Sequence, residues 1–407
     1  MMRRPARKPG PLPAFGAALF FALAGCAGPT LRVHPRAAAW ERPRRGEGET
    51  SGPPLRVLLK FGSRGLKASA PGGLKLEAPD GAALGEIPAQ GKARLGALDG
   101  LLMMNGRALD ESSALILPLR AGEAVRVGGR RYRGRLLVNA EGNQLALVNV
   151  VGLEDYLRGV LPSEVPSGGP AEALKAQAVA ARSFALTQML AASGRAWDLD
   201  NSADSQVYGS RDAETGATDA AVRDTQSEVL AFNGGVANTY FHSNSGGYTA
   251  DASEVWSGQD SPAYLQGVSD PWSDHQAHYS WKASLPRWEA QALLQKAGLL
   301  HSALDDVVPH GRSESERWTK IDLITGDGNT VTVSANAFRR ALGADRVRST
   351  RFWVRFVGEN LVFDGLGWGH GVGMAQEGAF AMARSGWDYR DILYFYYPGT
   401  YLARLHE

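Results

Sequence analysis

The chain has 407 residues and a single cysteine, Cys26, so it cannot form an internal disulfide. Its charge is close to balanced, with 44 basic and 42 acidic residues, and this gives no electrostatic reason to infer a nucleic-acid partner. The apolar run at residues 11–25 is too short to span a bilayer as a mature helix. The remaining composition, 44% hydrophobic and 21% charged, is typical of a globular protein with one large or two ordinary domains.

The first 26 residues resemble the signal peptide of a bacterial lipoprotein. Four basic residues within positions 3–8 precede the apolar run, which ends in Leu-Ala-Gly-Cys at residues 23–26. This pattern resembles the lipobox, in which the cysteine becomes the lipidated N-terminus after cleavage. An ordinary secretory signal with a chance cysteine is the alternative, and both predict export. Lipidation would consume Cys26 and exclude a cysteine-ligated metal, and the mature chain would have 40 basic and 42 acidic residues.

The chain is predicted to have an α+β fold. The 49 glycines and 21 prolines indicate many turns and a strand-rich body. A long alanine-rich helix after Pro170 is expected to pack against this body, with a small α/β lobe beside a cleft. The predicted divisions are a signal peptide at 1–26, a flexible tether at 27–53, a strand-rich region at 54–152 and a C-terminal region at 153–407, within which 283–350 form the lobe.

Glu164 is the first candidate for chemistry. It stands in GVLPSEVPSGGP, residues 159–170, between Pro162 and Pro166. The prolines predict a rigid turn ahead of the helix that starts near Pro170. The apolar neighbours of the carboxyl would raise its pKa by desolvation, whereas the positive end of that helix would lower it. The residues alone support a general acid and a helix-capping residue equally.

Two other segments contain polar residues in glycine-rich surroundings. GLGWGHGVG, residues 365–373, lacks the spacing and the lysine of a phosphate loop, but its alternating glycines would let the backbone approach a ligand beside His370. FHSNSGG, residues 241–247, lacks the nucleophile elbow of a serine hydrolase and is interpreted as a polar turn. His275 and His278 have no accompanying ligand cluster and are interpreted as part of a surface loop.

Three long blocks, in one order, resemble the SpoIID/LytB family. The first is YLRGVLPSEVP followed by EALKAQAVAARSFAL, at residues 156–186. The second and third are DTQSEVLAFNGGVANTYFHSNSGGYTADASEVW at 224–256 and the segment from GLGWGHGVG to GTYL at 365–402. The resemblance runs from about residue 131 to residue 405, which is most of the mature chain.

The resemblance implies an exported protein that acts on the bacterial cell wall. Sporulation-type members are lytic transglycosylases that cleave between N-acetylmuramic acid and N-acetylglucosamine in glycan strands stripped of stem peptides, leaving 1,6-anhydro ends. By this resemblance 153–407 is the catalytic region and Glu164 is the catalytic acid. A single carboxylate is sufficient in such an enzyme, because the sugar's own 6-hydroxyl is the nucleophile. The resemblance also implies that Lys175, Gln177 and Arg182 line one wall of the glycan cleft. His370 and Gln376 are weaker candidates for the opposite wall.

Other members of the family are amidase enhancers, so a non-catalytic glycan-binding protein that stimulates an N-acetylmuramoyl-L-alanine amidase is the alternative. Some members hold a zinc ion near the segment matched by FHSNSGG, but serines and Asn244 stand there in this chain. We therefore predict no metal and no cofactor. The expected partners are peptidoglycan strands, a cell-wall amidase, and the membrane through lipid on Cys26.

The expected location depends on the envelope of the bacterium. Ala27 after the cysteine is not an aspartate-type retention signal, so the periplasmic face of the outer membrane is expected if there are two membranes. With one membrane, the outer face of the cytoplasmic membrane is expected.

Overall fold

A computed structural model of the protein describes residues 30–31, 51–192, 194–202, 205–256 and 261–405. The predicted signal peptide, Cys26 and most of the predicted tether lie outside these residues. Two tether residues, Thr30–Leu31 (β1), pair in parallel with the last strand of the chain. Within the described ranges, none of the helices is both long enough and apolar enough to cross a membrane.

The region that precedes the first helix consists of strands joined by turns. Alternating residues are buried along several of them; in the strand that begins at Pro54, for example, Leu55 and Val57 are fully buried. The strands are β2 (Pro54–Ser63), β3 (Leu66–Ser69), β4 (Leu74–Glu77), β5 (Ala83–Ile87), β6 (Ala93–Leu98), β7 (Leu101–Met104), β8 (Arg107–Ala108), β9 (Ser113–Pro118), β10 (Val125–Val127), β11 (Arg130–Tyr132), β12 (Arg135–Glu141) and β13 (Gln144–Gly152).

Helices and strands alternate in the rest of the chain, and the fold is α+β, as predicted. The elements are α1 (Leu153–Glu164), α2 (Ala171–Ala191), β14 (Leu199–Asp200), α3 (Gly216–Asp224), β15 (Glu228–Phe232), β16 (Gly235–Val236), β17 (Phe241–His242), α4 (Ala252–Val255), β18 (Ser280–Pro286), α5 (Arg287–Lys296), β19 (Leu304–Arg312), β20 (Trp318–Thr325), β21 (Thr330–Ser334), α6 (Ala335–Leu342), β22 (Phe352–Val357), β23 (Asn360–Leu366), β24 (Met374–Ala375), α7 (Gln376–Arg384), α8 (Tyr389–Tyr396) and β25 (Tyr401–Leu405). Short 3₁₀ turns lie at Arg211–Ala213, Ala263–Leu265 and Pro271–Ser273.

Two larger sheets form the N-terminal region. One has the strand order β14-β2-β13-β12-β9-β4-β5 and the other β11-β10-β3-β6-β7-β8. Their apolar faces and the first two helices share one hydrophobic core. Since β13 leads directly into α1, the seven-stranded sheet sets the point at which the first helix begins.

The alanine-rich helix α2 lies at the centre of the C-terminal region. It contacts α1, α3, α7, α8 and β15. Its small side chains permit this close packing: Ala176, Ala178, Ala180 and Ala181 are fully buried. The predicted helix is therefore confirmed, with Pro170 at its N-cap.

The predicted rigid turn around Glu164 is wrong, because α1 continues through Pro162 and ends at Glu164 itself. Proline cannot donate the helical hydrogen bond at its own position. Next to it, the Ser163 hydroxyl donates to the Gly159 carbonyl at 2.9 Å, and the Val165 N–H donates to the Leu161 carbonyl at 3.0 Å. These bonds keep the last turn helical despite the proline.

A second hydrophobic core lies within residues 281–363. It is enclosed by two three-stranded sheets, β18-β23-β22 and β19-β20-β21, together with α5 and α6. We call this unit the lobe. It includes the segment 283–350 and extends beyond it, because β22 and β23 complete the sheet that β18 begins.

Replacing Phe338 with alanine is expected to destabilise the protein by about 3–5 kcal/mol, because its ring is fully buried in the lobe core. Trp288→Ala serves as the control: its side chain is 72% exposed, and the expected change is within about 0.5 kcal/mol. Urea unfolding measures both. If Phe338→Ala lowered the free energy of unfolding as little as Trp288→Ala, the lobe core would not contribute to global stability.

Candidate active site

Glu164 lies at the C-terminal end of α1, where the helix reaches the surface. The side chain is half-buried, and its Oε1 accepts a hydrogen bond of 2.6 Å from the Val207 backbone N–H. Its other oxygen, Oε2, has no hydrogen-bond partner within the described part of the chain. One carboxylate oxygen is thus held in place while the other is available to carry a proton.

Two glycines let the segment 206–210 approach α1 closely enough to supply that N–H group. A Cβ atom on Gly159 would lie 2.6 Å from the Tyr208 ring, and one on Gly209 would lie 2.2 Å from the Ser163 hydroxyl. Since real Cβ atoms do not approach so closely, both positions exclude larger residues without a shift of the backbone. The segment is anchored further by Gln206, which accepts from the Tyr156 hydroxyl at 3.1 Å.

Burial raises the pKa of the Glu164 carboxyl above its ordinary value, and the hydrogen bond from Val207 offsets only part of this effect. The negative end of the α1 dipole acts in the same direction as burial. The alternative role as a helix cap is wrong: α2 has Pro170 at its N-cap with no side-chain hydrogen bond, and the Glu164 carboxylate is bonded to Val207 instead.

Arg182 is completely buried, which corrects the expectation that it lines an open cleft. Its Nε and Nη2 atoms donate to the two carboxylate oxygens of Glu154 at 2.9 and 2.7 Å. It also donates to the backbone carbonyls of Val222 and Glu228, at 3.3 and 3.1 Å. Guanidinium donors that are saturated in this way hold α1, α2, α3 and β15 together and are not offered to a ligand.

Lys175 and Gln177, the other two residues expected on this wall, have different environments. The Lys175 ammonium pairs with Glu172 at 2.8 Å and lies 5.9 Å from the centre of the Tyr389 ring. Its hydrogen bond with Glu172 raises the pKa of the lysine. Gln177 is 1% exposed, and within the described ranges neither atom of its amide has a hydrogen-bond partner. Of the three, only Lys175 is accessible to a ligand.

His370 and Gln376 were expected on the opposite wall. The His370 Nδ1 accepts from the Val372 N–H at 3.0 Å, and the ring lies 5.3 Å from Trp256 and 5.5 Å from His242. Burial, reinforced by Arg339 and Arg317, lowers the pKa of His370 to about 3, so the imidazole is neutral at physiological pH.

Gln376 is connected to the Glu164 side of the protein through α7. It begins this helix, is 9% exposed, and shares a face with Phe380 one turn later. A Cβ atom on Gly169 would lie 2.5 Å from the Phe380 ring, so this face of α7 packs directly against the chain that follows Glu164. Among the described residues, no hydrogen bond or ring contact joins His370 to Glu164.

The segment 241–247, for which the sequence predicts no metal, is held by hydrogen bonds between protein groups. The Ser245 hydroxyl donates to Asp270 at 2.7 Å, and the Asn244 amide donates to Glu377 at 2.7 Å. Among the residues that the structure describes, no group of three or more histidine, cysteine, aspartate or glutamate side chains is placed to hold a metal ion.

Sequence reasoning missed two features. The Val207 N–H group has no signal in the sequence, because a backbone amide is common to almost every residue. His278, interpreted as part of a surface loop, forms a 2.6 Å contact between its Nδ1 and the Glu377 carboxylate, and its ring contacts Trp368. These partners are about 90 or more residues away along the chain, so local pattern could not reveal them.

A half-buried carboxyl of raised pKa at the open end of a helix, in an α+β protein, defines a candidate acid–base site. Comparisons with known proteins match two parts of the chain. The family described as stage II sporulation protein matches residues 141–232, which include α1, α2 and Val207. A domain of unknown function (DUF8618) matches residues 272–373, which include the lobe and His370.

The stage II sporulation protein D of Bacillus subtilis is 31% identical over 271 residues, covering 63% of this chain and 76% of that protein. An uncharacterized protein of Brachyspira hyodysenteriae is 34% identical, covering 67% and 73%. The amidase enhancer of Bacillus subtilis is 30% identical, covering 61% of this chain but only 40% of that longer protein. The chain belongs to the SpoIID/LytB family.

Replacing Arg182 with methionine is expected to destabilise the protein by about 3–5 kcal/mol, because Glu154 would remain buried without its partner. Lys175→Met is the control, since it breaks a more exposed pair with Glu172 and should change stability by at most about 1 kcal/mol. Urea unfolding measures the difference. Similar small losses in the two variants would contradict the structural role of Arg182.

Glu164→Gln is expected to be more stable than the parent protein at pH 7. A carboxyl whose pKa is raised in the fold binds its proton more tightly there than in the unfolded chain. It therefore destabilises the fold as pH rises from the unfolded value, about 4.3, through the raised one. The gain should shrink towards zero below about pH 4. Urea unfolding between pH 4 and 8, with Glu141→Gln in an exposed turn as the comparison, measures this dependence.

Proposed function

We propose that the protein is a lytic transglycosylase that cleaves peptidoglycan glycan strands with Glu164 as its single acid and base. The observation that supports this most is the geometry of the carboxyl: one oxygen bonded to the Val207 N–H, the other without a partner among the described residues, and a raised pKa. A raised pKa increases the fraction of the carboxyl that is protonated at a given pH, which favours a role as a general acid.

The surroundings of Glu164 favour a mechanism with one carboxylate. Glycosidases that use two carboxylates hold them about 5–9.5 Å apart. The other acids of α1, Glu154 and Asp155, lie ten and nine residues earlier, so the helix rise alone separates their backbones from Glu164 by about 13–15 Å. Glu154 is bonded to Arg182, and Asp155 lies within 4 Å of Arg133 and Arg158. Neither is free to activate a water molecule beside Glu164.

A transglycosylase does not need that second group. Glu164 donates its proton to the glycosidic oxygen as the bond from that oxygen to C1 of the muramic-acid residue breaks. The resulting carboxylate then accepts the proton of the 6-hydroxyl of the same residue, whose oxygen forms the new bond to C1. The products are a free 4-hydroxyl on one strand and a 1,6-anhydro end on the other, no water is consumed, and Glu164 is again protonated.

Export and lipid attachment at Cys26 belong to the same proposal, because peptidoglycan lies outside the cytoplasmic membrane. The alternative function, a glycan-binding enhancer of a cell-wall amidase, is favoured by the similarity to the amidase enhancer of Bacillus subtilis. In that case the surface around Glu164 would bind glycan without cleaving it, and Glu164 would be dispensable.

Peptide-free glycan strands incubated with the full-length protein are expected to yield 1,6-anhydro-muramoyl ends, detected by mass spectrometry. Glu164→Gln should abolish them, with a loss of at least about 100-fold, because general acid catalysis contributes this much or more. Glu141→Gln, an exposed carboxyl in a hairpin turn, should be unaffected. Reducing ends in place of anhydro ends would indicate hydrolysis, and binding without cleavage in the parent protein would favour the enhancer.

A further inference from the structure

A polar cavity of about 420 Å³ lies between the lobe and the rest of the C-terminal region, which we call the body. Its walls come from the segments 246–248 and 269–274 and Tyr279 of the body, and from Glu314, Glu316 and Arg351 of the lobe. None of the residues predicted from the sequence as site residues lines it. The volume falls within the usual range for small-molecule sites, about 300–1,000 Å³.

The floor of the cavity is fixed by two arginines that reach across the junction of body and lobe. Arg351 donates to the Gly246 carbonyl and pairs with Glu316. Arg317, which is 1% exposed, donates to the neighbouring Ser245 carbonyl at 2.7 Å. The consecutive carbonyls of Ser245 and Gly246 each accept a hydrogen bond from an arginine of the lobe. The cavity is therefore preorganised instead of formed by a mobile loop.

The walls offer hydrogen-bonding groups that the protein itself does not use. Glu314 is exposed, and its carboxylate has no partner among the described residues. The hydroxyls of Tyr248 and Tyr279 likewise have none there, and the Tyr279 hydroxyl would lie 3.8 Å from a Cβ atom on Gly247 in the cavity wall. Asp274 contributes a further carboxylate, whose partner among the described residues is the adjacent His275.

The charge around the cavity is negative. Three carboxylates, those of Asp274, Glu314 and Glu316, line it together with one arginine, Arg351, which pairs with Glu316. Arg317 lies behind the floor and offsets one of the two remaining negative charges. The carboxylates do not form a metal-binding group within the described ranges. The excess of carboxylates disfavours an anionic ligand, whereas these acceptors and two phenol rings suit a neutral ligand with many hydroxyl groups and an apolar face.

We propose that this cavity is a saccharide-binding site that holds an N-acetylated sugar residue of a glycan strand apart from Glu164. The inference rests on the proposed function for its choice of ligand. A second point of attachment would raise the affinity for long strands over short fragments, because binding at one site increases the effective concentration of glycan at the other.

Hydrogen–deuterium exchange of the full-length Glu164→Gln variant tests this with chitotetraose, a tetramer of N-acetylglucosamine. Binding in the cavity should slow exchange in segments 244–249, 269–280 and 312–318, whereas binding beside residue 164 should slow it in 160–170 and 205–210. Protection of the second set alone overturns the cavity site and leaves the proposed function intact. Slower exchange in the cavity segments alone supports the saccharide site in the cavity and counts against glycan binding beside Glu164.

The additional change Glu314→Gln should raise the chitotetraose concentration needed for half-maximal protection of the first set by about tenfold, since a hydrogen bond to a charged group is lost. Glu359→Gln is the matched control, because that carboxylate is 83% exposed on the lobe and outside the cavity. Equal effects of the two changes would overturn the proposal. Stronger protection by a lysine-terminated peptide than by chitotetraose would also overturn it, and would identify an amine-binding site.

Discussion

The buried ion pair between Arg182 and Glu154 is the interaction on which the geometry of the site depends. It joins the middle of α2 to the first turn of α1, and its remaining donors reach carbonyls of α3 and β15. Charges removed from water are tolerated only when nearly every donor and acceptor is satisfied, so the four elements must keep their relative positions. The direction of α1 is fixed in this way, and with it the point at which Glu164 emerges.

The C-terminal end of α1 is held by close packing against the segment 206–210. Gly159 and Gly209 have no side chains at the two places where the segment 206–210 touches the helix, and this permits a backbone amide to reach Glu164. The catalytic candidate is therefore held by packing and a main-chain hydrogen bond, and none of the residues that the structure describes gives it a positively charged partner. A cation at that position would have lowered the pKa of the carboxyl and opposed its use as an acid.

The α+β class and the long helix α2 could be predicted because each is encoded by residues close together in the sequence. The α1 boundary could not, since Pro162 argues against a helix whose last turn is stabilised by Ser163 and by packing. The family resemblance placed Arg182 in the cleft, and its burial depends on Glu154, a partner 28 residues earlier that local sequence does not reveal. Glu164 was a candidate from its local sequence, which left its role open between general acid and helix cap until the family resemblance favoured catalysis.

Val207 has an unusual position among the residues around the site, because it contributes through its backbone while its side chain is 40% exposed. Selection for the hydrogen bond to Glu164 requires only that residue 207 has a backbone N–H group. Nineteen of the twenty amino acids can supply that group, and only proline lacks it. Evolutionary variability at position 207 would then conceal a direct contact to the reacting group, so sequence comparison across relatives is a poor guide to this part of the site.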